Sequence, residues 1–163
     1  MTRVTNDVWQ AQASLGRRLL SWSGLSVAAG AVMGLSADRF WRGVGSQFVG
    51  WGLIDAGIAW LGLRSARSKA AQSDAHTPAR QLEMRTTLHR VLWINAALDV
   101  GYVTGGVVLA TTKGRNDSLW RGIGWGIVVQ GGFLLIFDLV HALLLGAGAP
   151  RPPDRQSVRE VTQ

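Results

Sequence analysis

The chain contains no cysteine. Disulfides, thiolate catalysis, thiol redox relays and cysteine-ligated zinc are therefore excluded. Acidic residues are few, 10 against 17 Lys+Arg. Lysine is nearly missing: Lys69 and Lys113 stand alone in a basic set otherwise made of arginine. No ten-residue segments of alternating polarity occur, so a membrane barrel is not expected. The motifs His-Glu-x-x-His, Gly-x-Ser-x-Gly, the phosphate-binding loop and paired hydrolase carboxylates are all missing, and no enzymatic activity is expected. The arginines flank apolar runs instead of forming a basic patch, so nucleic acid is not an expected partner.

What is present is hydrophobic. Of 163 residues, 47% are hydrophobic and 21 are glycine. The length suggests one domain. Four apolar runs cover about residues 19–36, 41–63, 88–110 and 119–146. Each is close to or above the roughly 20 residues that cross about 30 Å of hydrocarbon as a helix. The expected fold is all-α: a four-span transmembrane bundle over residues 1–146, with a disordered cytoplasmic tail over 147–163. Val4, Val8, Ala11 and Leu15 have helical spacing and suggest a short surface helix before the first span. Thr77-Pro78 reads as an N-cap followed by proline at the first helical position. Residues 111–118 form a polar turn. Glycine weakens a helix in water, yet in lipid it lets backbones approach closely.

Charge sets the orientation. Arg3, Arg17, Arg18, Arg64, Arg67, Lys69, Arg80, Arg85, Arg90, Arg151, Arg155 and Arg159 fall on one side of such a bundle. Only Arg39, Arg42, Lys113, Arg115 and Arg121 fall on the other. The excess places both termini and the middle loop in the cytoplasm of a cell with an inner (plasma) membrane. Arg17-Arg18 before an apolar run also resembles an export signal. Retention of the first helix is expected because its pattern recurs later in the chain.

That recurrence suggests two copies of a helix pair. Trp22, Ser26, Gly30 and Gly34 are spaced four apart, as are Trp93, Ala97, Gly101 and Gly105. Trp41-Arg42-Gly43-Val44-Gly45 returns as Trp120-Arg121-Gly122-Ile123-Gly124, and Gln47 and Asp55 return as Gln130 and Asp138. The ladders Ser26/Gly30/Gly34 and Ala97/Gly101/Gly105 are read as helix-packing stripes that bring the first and third spans together. Trp41, Trp120, Arg42 and Arg121 are read as interfacial anchors.

Asp55, Asp99 and Asp138 lie inside three spans at similar depth, roughly 12–15 Å from the inner end. An acid left alone there costs about 2.5–3.5 kcal/mol, so these residues should face the interior and be paired or protonated. Asn95, Tyr102 and His141 are their expected helical neighbours, with Gln47 and Gln130 completing a candidate polar site. Ala28 occupies the place of Asp99 in the first helix. Two readings stay open: a hydrogen-bonded network that fixes register, and a proton-linked or cation-binding site. Asp138 and His141 are too few for a metal site, and His141 is alone in the spans, so neither metal nor other cofactor is expected.

The segment Asn95-Ala96-Ala97-Leu98-Asp99-Val100-Gly101-Tyr102, with the Trp-Arg-Gly…Gln…Asp pattern, resembles a group of uncharacterised small bacterial membrane proteins. The resemblance covers about residues 17–146. It implies an integral membrane protein of two helix hairpins and transfers no catalytic residue. The expected function is a non-enzymatic structural or assembly component, whose partners are the lipid bilayer and a second copy or another membrane protein. The alternative is a small proton-coupled transporter or channel component that uses the acid layer.

Overall fold

The structure is a computed structural model and describes residues 7–147. Residues 1–6 and most of the expected tail lie outside the described residues. Those described are all-α, with no strand. Four long helices follow one another: α1 (Val8–Gly34), α2 (Arg39–Ala70), α3 (Pro78–Thr111) and α4 (Ser118–Ala147). At about 1.5 Å per residue they measure roughly 40–50 Å. A short 3-10 turn, Lys113–Arg115, precedes α4.

The ends follow from local chemistry. Asp7, Asp38 and Asp117 accept the amides of Trp9, Phe40 and Leu119, which caps α1, α2 and α4. Thr77 caps α3 through the Arg80 amide, with Pro78 in the first turn. The expected surface helix and first span are one continuous helix. The expected basic loop is short as well, because α2 runs on to Ala70 and only residues 71–77 link it to α3.

Glycine places the helices. α1 crosses α2 where Gly30 meets Gly45; a Cβ on Gly30 would stand 2.7 Å from the Gly45 carbonyl oxygen. α3 crosses α4 where Gly106 meets Gly124, with the corresponding gap 2.8 Å. α2 and α4 run in the same direction and meet at Gly43 and Gly122, where a Cβ would strike the Leu119 and Phe40 carbonyls. Real Cβ atoms do not sit that close, so these positions admit hydrogen alone.

These crossings correct the expected ladders. α2 and α4 form the centre, and α1 touches α3 only sparsely. Gly106 plays the part in α3 that Gly30 plays in α1. Ala97, Gly101 and Gly105 are exposed, and a Cβ on Gly101 or Gly105 would meet nothing within 4 Å. The buried stripe of α3 is Leu92, Ala96, Asp99, Gly106 and Ala110. A period of four selected a plausible stripe on the wrong face. Gly34 also opens onto space, whereas Ser26 is buried at the α1 interface.

Register shifts accordingly. Counting from the crossings, Ser23 rather than Ala28 stands in α1 where Asp99 stands in α3. Trp51 corresponds to Gln130, and Leu134 to Asp55. Asp138 lies four residues further along α4, one turn deeper with a rotation of only about 40°.

Burial is inverted relative to a water-soluble bundle. Much of the interior is small or polar: Gly43, Gly45, Gly52, Ser23, Ser26, Ala59, Ala96 and Gln130. Leu25 and Val32 of α1, Leu53 and Ile58 of α2, Leu98 and Val108 of α3, and Ile136 and Leu143 of α4 are all exposed. Two helices, Pro78–Thr111 and Ser118–Gly146, are long and apolar enough to cross a membrane. α1 and α2 fall short on apolar composition, diluted by serine and glycine, by Arg17 and Arg18 in the middle of α1 and by the basic ends of α2.

Gly122→Ala and Gly43→Ala are expected to destabilise the bundle by about 1–3 kcal/mol, because the added methyl meets backbone that cannot yield. Gly101→Ala should cause no loss. Unfolding of the three purified variants measured side by side checks the contrast.

Candidate functional site

The α2, α3 and α4 helices each contribute one buried acid. Asp55 is 3% exposed, Asp99 4% and Asp138 7%. Asp99 lies within electrostatic range of both other carboxyls, and Asp55 of Asp138. Burial is a consequence of helix phase: Asp99 sits three residues after Ala96 and seven before Gly106, on the face of α3 that packs.

None of the three acids forms an ion pair among the described residues. Asp55 Oδ2 and Asp99 Oδ2 are buried without a hydrogen-bond partner. Asn95 stands beside the Asp138 carboxyl. No side chain or backbone group among the described residues completes a network at these two oxygens. Among the described residues no group of three His, Asp or Glu side chains is placed to hold a metal ion.

The remaining expected site residues divide. His141 does not pair with Asp138. Its Nδ1 lies 2.6 Å from the Phe137 carbonyl and its Nε2 3.1 Å from an Arg18 guanidinium nitrogen. A guanidinium only donates, so the contact fits the tautomer with the proton on Nδ1. Tyr102 turns from Asp99 and packs edge-on against Trp51, with ring centroids 4.9 Å apart. Gln47 lies against Gly126 at the α2–α4 contact.

Gln130 belongs to a second polar cluster. It is 0% exposed. Its Oε1 accepts the Trp22 indole N–H at 3.1 Å, and its Nε2 donates to the Ser26 hydroxyl at 3.2 Å. Trp22 in turn stacks on Phe133 at 3.7 Å. Gln130 lies eight residues before Asp138, about 12 Å along α4. The polar layer is thus two layers: an acid cluster among α2, α3 and α4, and an amide cluster joining α1 to α4. Sequence reasoning missed the Trp22–Gln130 bond and the part played by Arg18. The spacing of Trp22 and Ser26, one turn apart on α1, was the available signal for a shared partner.

A family model matches residues 18–139, three quarters of the chain. The chain belongs to DUF6992, a family of unknown function. No curated protein and no solved structure matches it. The DUF6992 segment contains all three acids, Gln130 and every glycine crossing, and it ends before His141. The acid and amide clusters therefore lie within the DUF6992 unit, while the Phe137–His141–Arg18 contact straddles its edge.

Gln130→Leu removes two hydrogen bonds and leaves the Ser26 hydroxyl without its amide partner. A loss of about 1–2 kcal/mol is expected for two buried hydrogen bonds removed together. Ser26→Ala in the same background should add little, because the two share one interaction. A double-mutant cycle on unfolding checks both statements.

Proposed function

We propose that this chain is a non-enzymatic, four-span protein of a bacterial inner membrane, built from two helix hairpins of common origin. Both termini and the α2–α3 turn face the cytoplasm. Its working part is the carboxyl cluster of Asp55, Asp99 and Asp138, which takes up and releases protons as part of a small proton-coupled transporter or channel.

The observation that carries the functional part is the pair of buried carboxyl oxygens without partners. Three acids in electrostatic range, with no ion pair among the described residues, call for protons or a passing ion to meet their charge. The inverted burial supports the membrane placement, since large apolar side chains face outward on all four helices, including the two of lower apolarity. The equivalent crossings Gly30–Gly45 and Gly106–Gly124 support the duplication. The excess of Lys and Arg on one side supports the orientation.

A second reading, a structural component that assembles with a second copy or another membrane protein, is favoured by the outward stripe Ala97, Gly101 and Gly105. Small residues there would let a neighbouring helix approach closely.

In proteoliposomes carrying an internal pH dye, the wild-type chain should dissipate an imposed pH difference. Asp99→Asn and Asp55→Asn should slow that flux about tenfold or more, because they remove an intramembrane proton carrier. Equal flux from wild type and both variants would defeat the proton reading. Gly101→Leu should leave flux unchanged and lower the yield of cross-linked oligomer if the assembly reading holds.

Topology has a direct test in a chain without cysteine. Ser73→Cys should react with an impermeant maleimide only after the cytoplasmic face is opened. Asn116→Cys should react in intact spheroplasts. Identical labelling of the two positions would contradict the arrangement.

A further inference from the structure

The two hairpins differ on their outer halves. Between α1 and α2 lies an open groove of about 440 Å³. It is lined by Gly30, Gly34, Gly45, Val49 and Gly50, with Arg42 at its end. A Cβ on Gly34 or Gly50 would meet nothing within 4 Å, so these glycines leave space that packing does not use. Ser46 adds no free polarity, because its hydroxyl already donates to the Gly43 carbonyl at 2.7 Å. The surface below Arg42 is therefore apolar in effect.

In the other hairpin the same place carries larger side chains. Counting from the Gly106–Gly124 crossing, Ser46, Gly50 and Gly34 are replaced by Trp125, Val129 and Ala110. The arginines differ too. Arg121 packs on Gly114 and lies 5.7 Å over the Phe40 ring. Both arginines are exposed and neither forms an ion pair among the described residues, but no aromatic ring lies beneath Arg42 there. One hairpin thus carries larger side chains and an arginine set over an aromatic ring, and the other an open apolar groove with Arg42 at its end.

We propose that the α1–α2 groove is a binding site for an anionic phospholipid of the outer leaflet. One acyl chain lies along Gly34, Val49 and Gly50, beside the closed Gly30–Gly45 crossing, and the phosphate meets Arg42. The ligand class follows from charge complementarity: an apolar channel asks for a hydrocarbon chain, and a guanidinium at its headgroup end asks for a phosphate oxygen. The volume falls within the roughly 300–1,000 Å³ of small-molecule sites. The site rests on the four-span placement proposed above, which puts Arg42 at an interface and the groove against lipid.

The test uses the full chain, purified in mild detergent and stripped of lipid, titrated with phosphatidylglycerol or phosphatidylcholine and read by native mass spectrometry. The wild type should hold one phosphatidylglycerol about tenfold more tightly than phosphatidylcholine, because both offer the phosphate but the choline cation of the second repels the Arg42 guanidinium and cancels the headgroup charge. Arg42→Gln should abolish that preference, and Arg121→Gln should keep it. Filling the groove by Ser46→Trp with Gly50→Val should remove the adduct of both lipids. Gly34→Leu is an independent block should the double variant fold poorly. Equal binding of the two lipids by wild type, or unchanged binding after the groove is filled, would overturn the proposal. So would a dimer that the filled groove breaks, which would make the occupant a second copy. A chain that stays in solution without detergent would instead overturn the four-span placement, and a detergent-dependent chain with no adduct would overturn this site alone.

Discussion

Backbone touching backbone is the constraint from which the rest of this molecule follows. At Gly43 and Gly122, and again at Gly30–Gly45 and Gly106–Gly124, two helices approach until only hydrogen fits between them. Helices that close leave an interior with little room for Leu, Ile or Phe. The inside is accordingly filled with Gly, Ala, Ser and a few compact polar groups, and many of the large apolar side chains are turned outward. Such close approach gains dispersion contacts over short distances, to which satisfied polar groups such as the Gln130 amide add.

The same frame supports unlike chemistry on its two sides. Where α1 meets α4, the Gln130 amide bridges Trp22 and Ser26. At the corresponding place between α2 and α3, Trp51 packs edge-on against Tyr102. One contact is polar and directional, and the other is aromatic. The acids belong to α2, α3 and α4, and the first helix offers Ser23 where the third offers Asp99. The first helix is thus a wall to the acid cluster and not a contributor. On the outer half the contrast is one of volume, with glycine and serine on one hairpin against tryptophan and valine on the other.

How much of this could be read beforehand depends on what each signal measured. Hydropathy located all four helices, and the cap at Thr77 and the turn over residues 111–118 were legible because they are local. The burial of Asp55, Asp99 and Asp138 followed from the cost of leaving an acid in apolar surroundings. Counting along helices put the three in one layer, whereas the crossings set Asp138 one turn beyond the α4 equivalent of Asp55. The third-helix ladder failed because every fourth residue of a glycine-rich helix forms a stripe, and spacing alone does not say which stripe packs. Matching Trp22 to Trp93 slid α3 by five residues, whereas the backbone crossings align Gly30 with Gly106. Partners also escaped. Proximity along one helix joined His141 to Asp138 and Asn95 to Asp99. In the bundle His141 reaches Arg18 across to α1, and Asn95 stands beside Asp138 of the neighbouring helix.

One detail at the near end concerns the order in which the chain is made. Trp9 donates its indole N–H to the Ala75 carbonyl at 3.0 Å, and the Val8 amide is held by Gln81 at 2.9 Å. Val8 and Trp9 then pack with Ala75, Met84 and Leu88 in a small apolar cluster. Every one of those partners is synthesised at least 66 residues after the groups they hold. The first hairpin must therefore emerge and settle with its leading turn unfastened. The start of α3 closes that clasp, so completion of the first half waits for the opening residues of the second, and a chain cut between them would leave α1 with a loose end.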